Sequence, residues 1–260
     1  MIKALFFDID GTLVSMKTHT ILPSAVECIA QAKHKGIKVF IATGRPLGII
    51  NNIDGILPFI DGYLTANGAH CIVGNEVVYH QPIPKADVEL ILNEATKQDY
   101  SCVVVGQKDI GTFNYKDNID RIFRRMLDIH GVDYNIPIED LLKTDILELT
   151  PFVTVEQEQQ LMPRIPNCVS ARWHPEFMDV TSRLAEKGRG LTAIAQHLGI
   201  ALSDCVAFGD GGNDISMFVA AGIGVAMGNA GDNVKQAANF VTKHIDEEGI
   251  MHAMKYLGIV

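Results

Sequence analysis

The chain has 260 residues, of which 47% are hydrophobic, and its formal net charge at neutral pH is −9. That length fits one large domain or a core that carries a smaller second domain, and the apolar fraction is enough for a sizeable core. The acidic balance argues against a nucleic-acid partner and against an anionic membrane, because no surplus of basic residues exists to meet phosphates.

Five scattered cysteines form no Cys-x-x-Cys pair, which argues against a disulfide framework and against a zinc site. The N-terminal residues run directly into a short apolar segment, without the basic region and long apolar stretch of a signal peptide or membrane span. These features favour a reducing compartment, so we expect a cytoplasmic protein. No feature of the sequence indicates a protein partner.

The first predicted strand, residues 5–7, is a short apolar run that stops at Asp8, Asp10 and Gly11. At the carboxyl end of a buried parallel strand, these acids would lie in the crevice where open α/β sheets bind ligands. Two carboxylates so close repel each other unless a cation or a shared proton offsets the repulsion. Asp and Gly are also ordinary turn formers, so a strand that ends in a solvated turn is the alternative.

Helix and strand then alternate along the chain. The predicted elements are a helix over 24–35, strands over 38–42 and 62–65, and a hairpin over 69–79. The second strand ends in Thr43, Gly44 and Arg45, which gives a second polar turn at a strand end. The order of strand, helix and strand indicates a βαβ unit and therefore a parallel sheet.

After Pro82 the composition of the sequence changes. The segment carries more charged residues, and the core pattern of a strand that ends in a glycine-containing turn no longer repeats. We predict that residues 84–181 form an inserted α+β domain, and that residues 1–83 and 182–260 form the core. The predicted elements of the insert are helices over 87–98, 118–129 and 155–162 and strands over 102–105, 112–115, 146–149, 169–173 and 178–180. Their pairing order does not follow from the sequence alone.

The alternation of the core returns at Lys187. A buried strand over 205–208 ends in a glycine-rich turn that carries Asp210, Asn213 and Asp214. Further core elements are predicted at 187–197, 214–221, 224–227, 232–238, 240–241 and 247–256. Because the ends of parallel strands converge on one edge, the three polar turns are expected to meet there. They supply carboxylates for a hard cation such as Mg²⁺, together with Thr, Lys and Arg for an oxyanion.

Four motifs together resemble the haloacid dehalogenase-like hydrolase superfamily: residues 8–13 (Asp-Ile-Asp-Gly-Thr-Leu), 43–45 (Thr-Gly-Arg), Lys187 with Gly188, and 209–214 (Gly-Asp-Gly-Gly-Asn-Asp). Their order, with the insert between the second and third motifs, is similar to that of the Cof-type sugar-phosphate phosphatases. The resemblance covers the whole chain. It implies an α/β fold, with a Rossmann-like parallel-sheet core and an inserted α+β cap of the C2 type.

The resemblance also implies a Mg²⁺-dependent phosphomonoester hydrolase for small phosphorylated metabolites, with hexose and related sugar phosphates foremost. Asp8 would be the nucleophile that forms an aspartyl-phosphate, and Asp10 would be the general acid and then the general base. Lys187 would neutralise charge on Asp8 and on the phosphate, and Thr43 would hydrogen-bond the transferring phosphoryl group.

Binding roles follow from the same resemblance. The implied substrate-binding residues are Asn213, Arg45, and Ile9, Asp10 and Gly44 through their backbone N–H groups. The implied magnesium ligands are Asp8, Asp10 through its backbone carbonyl, and Asp210, with Asp214 orienting the waters of the ion.

Several of these residues have simpler interpretations. Thr43 and Asp214 could each cap a helix, a common use of Thr and Asp. Lys187 could be a solvated surface lysine. Arg45 could form a positioning ion pair rather than a ligand contact.

Substrate specificity is expected to come from the insert, where Trp173 and His174 suit a sugar ring, although a lone Trp is more often in the core. A phosphatase of pyridoxal phosphate or flavin mononucleotide is one alternative function, and a mutase that shares the aspartyl-phosphate step is another. A phospho-ligand sensor without turnover is a third. Asp8, Asp10 and Lys187 argue against the sensor, because a pure binder needs no nucleophile and acid.

Overall fold

The computed structural model describes residues 1–126 and 136–260. The strands in these residues are β1 Ala4–Phe7, β2 Lys38–Ala42, β3 Gly62–Thr65, β4 His70–Val73, β5 Glu76–His80, β6 Cys102–Val105, β7 Ile110–Phe113, β8 Glu148–Pro151, β9 Cys168–His174, β10 Phe177–Ser182, β11 Cys205–Gly209, β12 Ile223–Ala226 and β13 Phe240–Val241. The α-helices are α1 Pro23–His34, α2 Lys85–Gln98, α3 Asp117–Ile119, α4 Ile138–Leu141, α5 Val155–Leu161, α6 Lys187–His197, α7 Ile215–Ala220, α8 Asp232–Ala237 and α9 Gly249–Tyr256.

These residues form two compact units. The first unit comprises Met1–Arg45, Ile50–His80 and Glu186–Val260, and the second comprises Pro46–Ile49 and Gln81–Ala185. The units divide three residues before the predicted boundary at 83 and four residues after the predicted boundary at 181. Residues 46–49 group with the second unit, which the sequence did not indicate.

The first unit is built on an eight-stranded sheet in the order β13-β12-β11-β1-β2-β3-β4-β5. The strands from β13 to β3 pair in parallel, and β4 and β5 add an antiparallel edge. Leu5 and Phe7 pack with α1 and α9 on one face, and Ala4 and Phe6 pack with α6 and α7 on the other. Because both faces are covered, β1 is apolar at every position. The predicted α/β core with a parallel sheet is confirmed.

The second unit contains a five-stranded antiparallel sheet in the order β7-β6-β8-β10-β9. Apolar side chains of α2 and α5, among them Ile91 and Leu161, pack against one face of it with Val104, Leu149 and Val180. The predicted α+β character of the insert is therefore confirmed, and the structure supplies the pairing order that the sequence left open.

Two predicted elements of the insert differ in position, and a third differs in type. The strands expected over 112–115 and 146–149 are Ile110–Phe113 and Glu148–Pro151. The helix expected over 118–129 begins as α3 and continues as a π-helix, Asp120–Met126, and the rest of that prediction lies outside the described residues.

The order of strands in the first unit reverses at β1. The chain builds β2 and β3 on one side of β1 and then returns to place β11 and β12 on the other side. The carboxyl ends of β1, β2 and β11 are therefore neighbours, which is the position where open α/β sheets bind ligands. Among the helices of residues 1–126 and 136–260, none has both the length and the apolar character needed to cross a bilayer.

Candidate active site

Three polar side chains follow neighbouring strands of the first unit. Asp8 comes directly after β1, Thr43 directly after β2, and Asp210 directly after β11. Because β1 pairs in parallel with both β2 and β11, the three residues lie at one edge of the sheet. The convergence predicted from the sequence is thus observed for these strand ends.

A cluster of three acids lies at this edge, with Asp8 and Asp214 buried and Asp210 half-buried. One carboxylate oxygen each from Asp8, Asp210 and Asp214 lies within 4.8 Å of the others. Lys187, the first residue of α6, places its Nζ 2.8 Å from Asp8 Oδ1 and 2.6 Å from Asp214 Oδ1. Its side chain is fully buried, so the interpretation of Lys187 as a solvated surface residue is wrong.

A close helix contact puts Lys187 in this position. The backbone N–H of Gly188 donates a hydrogen bond to Ser216 Oγ at 3.0 Å. A Cβ at Gly188 would overlap the Ser216 backbone carbonyl. Only glycine therefore lets α6 approach α7 this closely, which gives the Lys187-Gly188 dipeptide a steric explanation.

The cluster contains more acidic than basic side chains, and the pKa values of Asp8 and Asp210 reflect this. Burial raises the pKa of Asp8 well above its ordinary value, and the nearby Asp214 carboxylate raises it further, against the opposing effect of Lys187. Burial likewise raises the pKa of Asp210 to about 6. Burial opposes the charged form of Lys187, but the attraction of Asp214 and Asp8 raises its pKa. One cation faces three acids, and an all-oxygen acidic site of this kind fits a hard divalent ion such as Mg²⁺.

Asp214 has both of its carboxylate oxygens engaged. Oδ1 accepts from Lys187, and Oδ2 accepts from the backbone N–H groups of Asp210 at 3.0 Å and Gly211 at 2.9 Å. As the N-cap of α7, Asp214 makes no side-chain cap hydrogen bond, so the interpretation that it caps this helix is wrong. Its carboxylate instead closes the turn before the helix and orients Lys187.

Arg45 forms a bidentate ion pair with Asp10. Its Nε lies 2.8 Å from Asp10 Oδ2, and its Nη2 lies 2.6 Å from Asp10 Oδ1. The positioning ion pair is therefore present, and the contact of Arg45 with substrate stays a prediction. The Asp10 carboxylate is thus held apart from the buried acids, while the Thr43 hydroxyl accepts a hydrogen bond from the Arg45 backbone N–H at 3.0 Å.

Three backbone N–H groups at this edge have no acceptor in the part of the chain that the structure describes. Those of Ile9, Asp10 and Gly44 donate to no group among residues 1–126 and 136–260, although neighbouring turns are well bonded. Unpaired N–H groups beside a lysine form a site for an anion with several oxygens. These are the same three groups to which the family resemblance gives a role in binding phosphate.

Asn213 is placed near this site by another asparagine. Its Nδ2 donates to Asn67 Oδ1 at 2.9 Å, and a Cβ at Gly44 would lie 3.2 Å from the same oxygen. Asn67 lies in the left-handed region, with φ 53°, as does Ala66, with φ 47°. Such conformations cost energy and are concentrated at functional sites.

Sequence reasoning missed three residues that contribute to the site: Thr12, Asn67 and Asn229. Thr12 lies inside the first motif, and its Oγ1 donates to Asp210 Oδ1 at 3.0 Å. Asn229 lies in the Gly-Asn turn after β12, at the same edge of the sheet, and donates to Asp210 Oδ2 at 3.2 Å. For Thr12 the available signal was its place in the first motif, and for Asn67 and Asn229 it was their position after a core strand.

Comparison with known proteins agrees with this geometry. The sequence profile of the haloacid dehalogenase-like hydrolases matches residues 5–254, and the chain belongs to that family. It is 31% identical to the putative phosphatase YkrA of Bacillus subtilis (strain 168) over 261 residues, covering 99% of this chain and 98% of that protein. Solved structures also match across nearly the whole chain, and two of them illustrate the similarity.

The first of these structures is the HAD subclass IIB sugar phosphatase BT4131, with a TM-score of 0.88, 45% identity, and coverage of 99% of this chain and 100% of that one. The second is the phosphatase BT1666 from Bacteroides thetaiotaomicron, with a TM-score of 0.89, 34% identity, and coverage of 100% and 96%. The resemblance to Cof-type phosphatases is confirmed, and the chain is a phosphatase of this family.

Proposed function

We propose that the chain is a Mg²⁺-dependent phosphomonoesterase for small phosphorylated metabolites, with hexose and related sugar phosphates as the main substrates. The observation that carries this proposal is the separation of two acids. Asp8 is buried against Lys187, whereas Asp10 is held in a more exposed ion pair with Arg45. The two carboxylates therefore have different partners and different exposure, so they can take different roles in one reaction.

In the proposed reaction, a carboxylate oxygen of Asp8 attacks phosphorus while the bond from phosphorus to the ester oxygen breaks. Asp10 donates its proton to the departing alcohol, and the product of this step is an aspartyl-phosphate on Asp8. Asp10 then takes a proton from the water that attacks phosphorus, which releases phosphate and restores both side chains.

Charge on the transferring group is met by the residues around it. Lys187 and the unpaired N–H groups of Ile9, Asp10 and Gly44 would stabilise the phosphoryl oxygens. The Thr43 hydroxyl accepts from the Arg45 N–H and keeps its own proton to donate.

The proposed holders of Mg²⁺ are Asp8, Asp210 and the backbone carbonyl of Asp10, and Asp214 lies in the same acidic cluster. When bound there, the ion would neutralise charge on the phosphate oxygens. The oxygen-only donor set supports this choice of metal over zinc, which prefers His and Cys ligands.

The substrate class is supported by similarity. The 45% identity to a sugar phosphatase over nearly all of both chains favours a sugar phosphate. A panel of phosphorylated metabolites tests this choice, and stronger turnover of pyridoxal phosphate or flavin mononucleotide would favour the cofactor phosphatase instead.

The first test removes the nucleophile. Asp8→Asn should lower the hydrolysis of p-nitrophenyl phosphate and of hexose phosphates by at least about 10³-fold, because the amide cannot attack phosphorus. Thermal unfolding should show a folded protein. Asp232→Asn, an exposed change at the start of α8, is the matched control and should leave the rate unchanged. Substantial turnover by the Asp8 variant would exclude Asp8 as the nucleophile.

The second test removes the metal. A chelator should stop hydrolysis, and added Mg²⁺ should restore it, because the acidic cluster carries uncompensated negative charge without a cation. Binding of Mg²⁺ to the chelated protein is measured in parallel by titration calorimetry. Full activity in excess chelator would contradict the proposed metal.

A further inference from the structure

The side chain of Asn229 connects three loops of the first unit. Its Nδ2 donates to the backbone carbonyl of Gly11 at 2.8 Å and to Asp210 Oδ2 at 3.2 Å. Its Oδ1 accepts from the backbone N–H of Ile245 at 3.0 Å. Both N–H bonds of the amide and its carbonyl oxygen are therefore used, which fixes the orientation of the whole group.

The other oxygen of Asp210 is held from a second direction. The Thr12 hydroxyl, which is fully buried, donates to Asp210 Oδ1 at 3.0 Å. Each carboxylate oxygen of Asp210 thus receives one hydrogen bond from a neutral donor and keeps lone-pair capacity for a further ligand. Neutral donors orient a carboxylate without cancelling its charge, so it remains available to a cation.

The hydrogen bond from Asn229 to the Gly11 carbonyl also restrains the loop after β1. Gly11 has a φ of 81°, and a Cβ there would overlap the Asp210 carboxylate. The loop after β1 and the loop after β11 therefore meet closely, and Asn229 binds to both. These are the two loops that carry Asp8, Asp10 and Asp210.

We propose that Asn229 and Thr12 are positioning residues that hold the Asp210 carboxylate and the peptide of Gly11 in place for Mg²⁺. This inference rests on the proposed function, which assigns the metal to Asp8, Asp10 and Asp210. Partners that orient metal ligands typically change metal affinity by about 10- to 100-fold when they are removed. A residue that only stabilised the loops would lower the stability of the protein and leave metal affinity unchanged.

The test compares Mg²⁺ binding to metal-free protein by titration calorimetry, in wild type and four variants. Asn229→Ala removes the amide, and Thr12→Val removes the hydroxyl at nearly constant volume. Both should weaken Mg²⁺ binding by about 10- to 100-fold. Thr12→Ser keeps the donor and should retain near wild-type affinity.

The matched control is Asn239→Ala. The Oδ1 of Asn239 accepts from the backbone N–H of Gly224 at 2.7 Å, so it also fixes a loop of the first unit but does not contact Asp210. Thermal unfolding of each metal-free variant reports stability separately. Asn239→Ala should leave Mg²⁺ affinity unchanged, whatever its effect on stability.

Unchanged Mg²⁺ affinity in Thr12→Val, or an equal loss in Asn239→Ala, would overturn the positioning role while leaving the proposed function intact. If Asn229→Ala does not fold, the two Thr12 variants alone decide the result. Wild-type protein that binds no Mg²⁺ would overturn the proposed function as well as the positioning role.

Discussion

Lys187 lies between two acids in the interior of the first unit. Its Nζ is within 2.8 Å of a carboxylate oxygen of Asp8 and within 2.6 Å of one of Asp214. Buried acids of this kind are tolerated only when a cation pairs with them, since an unpaired buried charge costs far more than the pair contributes. Lys187 therefore has a structural role that is separable from the chemistry of the site.

Replacing this lysine tests that role. In metal-free buffer, Lys187→Met should lower the free energy of unfolding by about 3–5 kcal/mol, because Asp8 and Asp214 lose their cation. Urea unfolding measures the change. Arg189→Met, on the same helix, is the matched control: Arg189 pairs with Glu186 at 3.4 Å and is 54% exposed, so its loss should cost less than about 1 kcal/mol. Equal losses in the two variants would contradict the argument.

Some residues of the site could be predicted and others could not, for a geometric reason. Asp8, Thr43 and Asp210 each follow a buried strand directly, so strand order alone brings them together. The bonds from Thr12 and Asn229 to Asp210 join loops whose separation depends on how each loop turns. The periodicity of apolar residues predicts helices and strands but not the direction in which a loop turns, so these two hydrogen bonds could not be predicted.

At the scale of elements, the core strands were easier to locate than those of the insert. Strands predicted over 38–42 and 62–65 are observed with the same bounds. For β2 the reason is that residues covered on both faces form a continuous apolar run. In the insert, strand β8 begins two residues later than predicted. Ile146 and Leu147 are buried without belonging to it, so apolar character there did not mark the start of the strand.

Asp61, which immediately precedes β3, joins that strand to α1 and β2. Its carboxylate accepts hydrogen bonds from Lys33 Nζ at 2.5 Å, Lys38 Nζ at 3.0 Å and the backbone N–H of Val39 at 2.9 Å. Burial opposes the ionised form, but the hydrogen bonds from Lys33, Val39 and Lys38 lower the pKa of Asp61. A depressed pKa in the folded state means that this acid stabilises the fold only where it is ionised.

The corresponding prediction concerns pH. Asp61→Asn should lower the free energy of unfolding by roughly 1–3 kcal/mol near pH 7, because charge-assisted hydrogen bonds are lost. The difference from wild type should persist above the ordinary carboxyl pKa of about 4 and shrink as pH falls through the lower folded-state value. Urea unfolding at several pH values measures it. Asp54→Asn, an exposed change, should have little effect, and a pH-independent difference for Asp61 would contradict the argument.

At the scale of the whole molecule, the proposed catalytic residues and the exposed tryptophan belong to different units. The acidic cluster of Asp8, Asp210 and Asp214, together with Lys187 and the unpaired N–H groups, belongs to the first unit. The second unit carries an exposed aromatic, Trp173, whose indole Nε1 donates to Asp179 Oδ2 at 2.7 Å. Trp173 is 56% exposed, so the interpretation that it fills the core is wrong. Thr150 holds the other oxygen of Asp179 at 2.8 Å, which fixes the orientation of the indole.

This division leads to a prediction about specificity. If the second unit selects substrates, Trp173→Ala should change the ranking of sugar phosphates by about 3- to 10-fold in kcat/KM, the size of one aromatic contact. Hydrolysis of p-nitrophenyl phosphate should change little, because that chemistry depends on residues of the first unit. Tyr115→Ala is the control: Tyr115 is 51% exposed and donates to Asp120, and its removal should preserve the ranking. Equal losses on every substrate would assign Trp173 a structural role instead.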